Sequence, residues 1–506
     1  MVLPFPRPSA DTAQLAVPSA FGSHMVLQRG RATRLWGTAA AGTGPVTVEY
    51  RGREVASAAL DPSTGRWEAW LPAMNASAEP ASVEIRSADG AAVTLTDVVV
   101  GDVYACIGAS QMEWNLGDTP DNRTAEHDAS GSGGSLRLVV ADKNFFGRVN
   151  PHELQDNFST RWPWQRADAD LHSTMGSSAI CFWFGLEQLR RRPEVPVGLV
   201  EAFWGATSAR QWAPSEAFAK CGMPEKTNGD HGKWWEPRDT SVLWNTMVHP
   251  FTALPVRALL VELLVLDGDC LLPAMVRSWR ERWAGPGDAS GPPLLAMQAA
   301  CGPSNATARR DATSAFLRAP QTAVVVVADL CDPEAEHHVH SRRKKDEALR
   351  LALLAEGLVH GNRSVPRSGP RPVAACCAAE GCARLRVSFD QELAVRPEAA
   401  AADCGFALRS GNRSHPGASR SPASPRATAA PWSSRRPPAG PAGARRARAA
   451  LGRRAASLTA RRPTRGCRWR TAWGSRWVSS SSLSGAPAVE PTARRAREPA
   501  EAKIGL

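Results

Sequence analysis

Gly101-Asp102-Val103-Tyr104-Ala105-Cys106-Ile107-Gly108-Ala109-Ser110-Gln111-Met112 is the stretch from which the rest of the chain is read. An apolar, β-prone run (Val98–Val100, then Val103–Ile107) stops at Gly108-Ala109-Ser110. A serine there projects from the C-terminal end of a buried strand. The first backbone N–H groups of the next turn or helix surround its hydroxyl, and free donors of that kind favour an oxyanion. The bland alternative is a small residue capping a helix.

On the N-terminal side, residues 20–98 alternate apolar and polar positions, as in Val46-Thr-Val-Glu-Tyr50 and Arg66-Trp-Glu-Ala-Trp-Leu71. Short alternating runs between Gly/Pro/Asp/Asn turns are half-buried antiparallel strands, so 20–98 reads as a small β domain. On the C-terminal side, from 99 to about 362, near-continuous apolar runs (Val197–Phe203, Thr322–Ala328) alternate with helical spacing at Cys181–Leu189 and Lys345–Leu358. That alternation predicts a mostly parallel sheet with helices on both faces, and ligands at the C-terminal ends of its strands. Ser110, Gly205 and the segment around His340 each follow such a run. A further strand pair is expected at 383–390 and 405–408.

Beyond Gly411 the composition turns to Arg, Ala, Pro and Ser. Such a segment cannot bury enough surface to offset its ordering entropy, so 411–506 is expected to be disordered. It holds 20 Lys+Arg against 3 Asp+Glu, so the chain's net +12 resides there and the rest is mildly acidic. A nucleic-acid partner would have to act through that tail alone, and none is expected.

Eleven cysteines without paired C-x-x-C spacing disfavour a zinc finger and fit buried thiols or a few disulfides. Sequons at Asn75, Asn122, Asn157, Asn305, Asn362 and Asn412 are compatible with a glycoprotein. No segment reaches the roughly 18 apolar residues of a membrane span, the longest candidate being Ala258–Leu266 with Glu262 inside it. Met1–Pro18 carries no clear signal peptide. Most of the eighteen tryptophans are read as core residues, three fall in the tail at 469–477, and none is assigned to substrate.

Four ordered blocks resemble the sialate O-acetylesterases of the SGNH/GDSL hydrolase group. Gly108-Ala-Ser-Gln-Met112 is similar to their Gly-Gln-Ser-Asn-Met, and Phe21-Gly-Ser-His-Met-Val-Leu-Gln-Arg29 to Phe-x-Asp-His-Met-Val-Leu-Gln-Arg. Val195-Pro-Val-Gly-Leu-Val-Glu-Ala-Phe-Trp-Gly-Ala-Thr207 is similar to a block ending in Trp-Gly-Gly-Thr, and His340-Ser-Arg-Arg-Lys344 to His-Pro-Arg-Asn-Lys. The resemblance spans about residues 15–410. It implies an α/β fold: a flavodoxin-like three-layer SGNH hydrolase domain at 99–362, the N-terminal β domain at 20–98 and an accessory C-terminal β region at 365–410. It also implies a secreted or lysosomal location.

Ester hydrolysis needs an activated oxygen nucleophile, a base and donors for the developing oxyanion. The resemblance gives these as Ser110, His340, and the N–H groups of Ser110 and Gly205. His337 and His338 compete with His340, and a run such as His337-His338-Val339-His340 also suggests metal. Closed metal sites usually add Cys or carboxylate ligands, so no metal or other cofactor is expected. The orienting acid is open: Asp332 is preferred over Asp329 and Glu336. Two departures stand out: Ala206 replaces the second glycine, and the family's Trp-Tyr-Gln-Gly-Glu-Ser-Asn block is absent around Val261–Asp267. An oxyanion donor is expected from that block. Two functions follow: hydrolysis of sugar O-acetyl esters through an acetyl-serine, or a catalytically impaired glycan-binding relative.

Overall fold

The computed structural model describes residues 15–40, 44–143, 149–169, 174–227, 237–263, 269–284, 290–298, 315–330, 332, 340–365, 372–377, 384–389 and 501–505. The chain divides into two compact units, Met1–Ser368 and Gly369–Leu506.

The first unit opens with β1 (Val26–Gln28), β2 (Thr33–Thr38), β3 (Val46–Tyr50), β4 (Arg53–Ala58), β5 (Arg66–Leu71), β6 (Ser77–Ser87) and β7 (Ala92–Gly108). β5 buries every second residue, as its alternating sequence requires. β3 and β4 are joined through Arg51 and Gly52, at φ 54° and 70°. Two left-handed residues in succession suit the twist of a tight hairpin, and glycine takes the second at no steric cost.

β7 departs from the expected layout. Its first half pairs antiparallel with β6, and Val99 and Val100 pair parallel with Val26 and Leu27 of β1. Its second half is the middle of the central sheet. The boundary read at 98/99 therefore falls inside one 17-residue strand. The composition shift there marks a change from one buried face to two, not a break in the chain.

The remaining strands are β8 (Leu136–Ala141), β9 (Thr160–Arg166), β10 (Val197–Phe203), β11 (Ala258–Glu262), β12 (Leu294–Met297) and β13 (Thr322–Val325). The order across the sheet is β13-β12-β11-β7-β10-β8-β9. All are parallel except β9, antiparallel to β8 at the edge. Counting parallel strands from β7 gives 2-3-1-4-5-6, whereas the flavodoxin order is 2-1-3-4-5. β10 lies between β7 and β8, and all seven of its residues are buried, as a strand flanked on both edges and both faces must be. β13 is shorter than the Thr322–Ala328 run suggested, because Val326 turns outward, 51% exposed, and a 3-10 turn follows at Ala328–Leu330.

The helices are α1 (Ser110–Glu113), α2 (Asn122–Ser130), α3 (Ala179–Arg191), α4 (Ala209–Trp212), α5 (Ser215–Lys220), α6 (Leu271–Trp283) and α7 (Lys344–Leu358). Two apolar cores hold them to the sheet. Val103, Ala105 and Ile107 of β7 join Trp212, Phe218 and Trp279 of α4–α6 and the core of the N-terminal strands. Tyr104 and Cys106, pointing the other way, join Phe182 and Phe184 of α3 and Leu351 of α7. The period of two in β7 thus feeds both faces. Trp212, Trp244 and Trp279 are among the largest fully buried side chains. Disulfides Cys106–Cys181 and Cys221–Cys270 are formed. Among the described residues no helix is long and apolar enough to cross a membrane.

In the second unit β14 (Pro372–Cys377), β15 (Arg384–Phe389) and β16 (Glu501–Gly505) form an antiparallel sheet in that order. β16 corrects the expectation of disorder at those five residues: a free sheet edge supplies backbone partners that composition does not reveal. The rest of 411–506, and the strand read at 405–408, lie outside the described residues.

Candidate active site

Ser110 is where β7 ends. Glu262, last residue of β11, pairs with Gly108, and the Ala109 N–H donates to the Glu262 carbonyl at 2.8 Å. A Cβ on Gly108 would stand 2.5 Å from that carbonyl and 2.8 Å from Met112 Cβ, so only glycine lets the chain turn here. α1 has four residues and no side-chain cap. One turn carries little helix dipole. Donors near Ser110 therefore come from neighbouring loops.

Gly205 supplies one. It follows β10, next to β7 in the sheet, and a methyl placed on it would lie 3.6 Å from Ser110 Cβ. Its N–H donates to Glu113 Oε2, while Lys143 Nζ donates to Glu113 Oε1. Ala206 sits at φ 59°, a left-handed position that favours the glycine of the family motif.

His340 is half-buried and its ring lies 5.4 Å from that of Trp114, the residue that ends the Ser110 turn. A second tie runs beside it: fully buried Lys344 donates to Gln111 Oε1 and, at 2.9 Å, to Glu347 Oε2. Gly205 is thus a neighbour of Ser110, and His340 packs near Trp114, at the end of the turn that Ser110 begins. Asp332 holds Arg342 through both carboxylate oxygens, at 2.6 and 3.3 Å. Asp329 grips Arg350 of α7. Glu336, His337 and His338 lie outside the described residues.

Three buried carboxyls of the central sheet and its helices went unassigned from the sequence. Burial pushes Glu262 up to about 7, with Lys344 pulling down and Glu347 pushing up. Glu347 is itself raised by burial, against the pull of Lys344. Burial holds Glu201 of β10 at about 8, partly offset by the Ser178 N–H that it accepts at 2.9 Å. The signal was legible for two of them: Glu201 and Glu262 are charged residues inside otherwise apolar strands. Glu113 and Lys143 had no such signal, since neither interrupts a pattern.

No family model matches the chain. A sialate O-acetylesterase from Pongo abelii is 24% identical over 390 residues, covering 70% of this chain and 73% of that protein. The one from Homo sapiens is 25% identical over 309 residues, covering 54% and 57%. A carbohydrate acetylesterase from Xanthomonas citri superimposes with a TM-score of 0.60 at 23% identity, covering 74% of this chain and 81% of that one. With the four ordered motifs, the sequence matches show that this chain is similar to sialate O-acetylesterases, and the backbone match agrees on the fold.

Proposed function

We propose that the protein is a carbohydrate esterase that hydrolyses O-acetyl esters, sialic acids being the substrate class that the relatives' name suggests. The supporting observation is the Gly205 N–H, which already donates to an anionic oxygen beside Ser110. In this reading Ser110 Oγ attacks the acetyl carbonyl carbon as His340 takes the hydroxyl proton. The carbonyl oxygen becomes an oxyanion on the N–H groups of Ser110 and Gly205. Collapse breaks the bond to the sugar oxygen, which takes its proton from His340. Water, deprotonated by the same imidazole, then releases acetate and restores Ser110. Asp332 is assigned the orienting role beside its bond to Arg342. The catalytic unit, in this reading, is the SGNH type of three-layer hydrolase, and the two disulfides support an oxidising, secreted or lysosomal setting.

Ser110→Ala is expected to lower p-nitrophenyl acetate hydrolysis by about 10⁴-fold or more, the scale set by removing a catalytic serine. Unchanged turnover overturns the assignment. A second reading, a glycan binder with impaired catalysis, is favoured by Val261–Leu263 standing where the family has its Gln-Gly-Glu block. Losing one oxyanion donor costs about 10²–10³ in rate. Glycan binding without labelling by a fluorophosphonate probe would select that reading.

A further inference from the structure

Glu113 is three residues after Ser110 on α1, the spacing that puts two side chains on one face of a turn. Its carboxylate spans the Gly205 N–H on one oxygen and the Lys143 ammonium on the other. Lys143 Nζ in turn lies 5.2 Å from the centre of the Trp204 ring, over the residue next to Gly205. The side chains of Glu113 and Lys143 are 33% and 32% exposed, so both have room to move. A carboxylate oxygen and the oxyanion of an ester adduct ask the same of a peptide N–H: one short, charge-assisted bond. They cannot both have it.

We propose that Glu113 is the internal occupant of the oxyanion position: it must leave Gly205 before an ester carbonyl can bind, and Lys143 keeps the displaced carboxylate. The role given to Gly205 rests on the esterase reading. The occupancy itself is an exchange of one hydrogen-bond acceptor for another and needs no chemistry at Ser110. Glu113 is therefore a gating residue. Removing it should leave a vacant cradle, one N–H and one ammonium, sized for a small carboxylate.

Trifluoroacetate titrated into the full-length, disulfide-bonded protein and followed by ¹⁹F NMR tests this, with acetate as competitor. Glu113→Ala is expected to bind the anion at least tenfold more tightly than wild type, and acetate should displace it. Adding Lys143→Met to that variant should abolish most of the gain. Binding by Glu113→Ala no tighter than by wild type overturns the proposal, as does a gain that survives Lys143→Met. Should Glu113→Ala lose its cooperative thermal transition, Glu113→Gln carries the test. It keeps the length without the charge, a gain of several-fold is expected, and no gain overturns the proposal. The titration is repeated in a Ser110→Ala background, where the same gain is expected. Failure of hydrolysis thus counts against the esterase reading, and failure of the titration against the gate.

Discussion

Glu201 makes the clearest demand of any single residue: a fully buried carboxyl with one N–H donor and little else. Its pKa in the fold is about 8, above the ordinary carboxylate value, so the folded protein holds a proton there that the unfolded chain has released. Stability from this group is therefore full below about pH 4.5 and is lost as pH rises through about 8. Glu201→Gln is expected to raise the Tm at pH 8.5 by several degrees and to change it little at pH 5.5, measured by differential scanning calorimetry. Equal shifts at both pH values would refute the buried proton. Lys344 is the opposite case, a buried cation between Gln111 and Glu347 with Glu262 nearby. Lys344→Met would leave Glu347 without its counter-charge, and breaking a buried pair this way costs about 3–5 kcal/mol, readable as a lower urea midpoint.

Among the elements, β7 and its contacts with α3 and β11 decide where Ser110 sits. Gly108→Ala would push a methyl into the Glu262 carbonyl and Met112, and overpacking of this kind costs about 1–3 kcal/mol. Urea denaturation should show the loss, with m unchanged. The Cys106–Cys181 bond ties β7 to α3 across 75 positions of sequence. Closing a loop of that size stabilises by about 4 kcal/mol on the chain-entropy account, so Cys106→Ala should lower the urea midpoint accordingly. The local pattern showed most of these elements. Val197–Phe203 had to be a buried strand, and Lys344–Leu358 begins one residue before the helical spacing suggested. What it did not show was reach. Nothing in Ser110–Glu113 announces that the following helix is a single turn. Nothing near Lys143 says that it lands on Glu113, because that contact depends on how far apart β7 and β8 end.

For the whole molecule, motif order was legible and strand order was not. Four blocks in sequence marked Ser110, Gly205 and His340 as following strands, yet the insertion of β10 between β7 and β8 depends on pairings that no local window contains. The same holds for the acid. Asp329 stands nearer the end of β13 than Asp332 does, and each holds an arginine, Arg350 and Arg342 respectively, which no local window shows. The boundary expected at 98/99 failed for a related reason, since alternation stops when a second face is covered even if the backbone runs straight on.

That uninterrupted backbone limits how this architecture can be rearranged. Residues 20–98 cannot be lifted out, donated to another enzyme or replaced by an unrelated module at a clean seam. A graft cut at 98 would sever the rod that ends beside Ser110 and strip Val99 and Val100 of β1. Exchanging the leading sheet would mean rebuilding the strand that carries Gly108 and the turn at Ser110 at the same time.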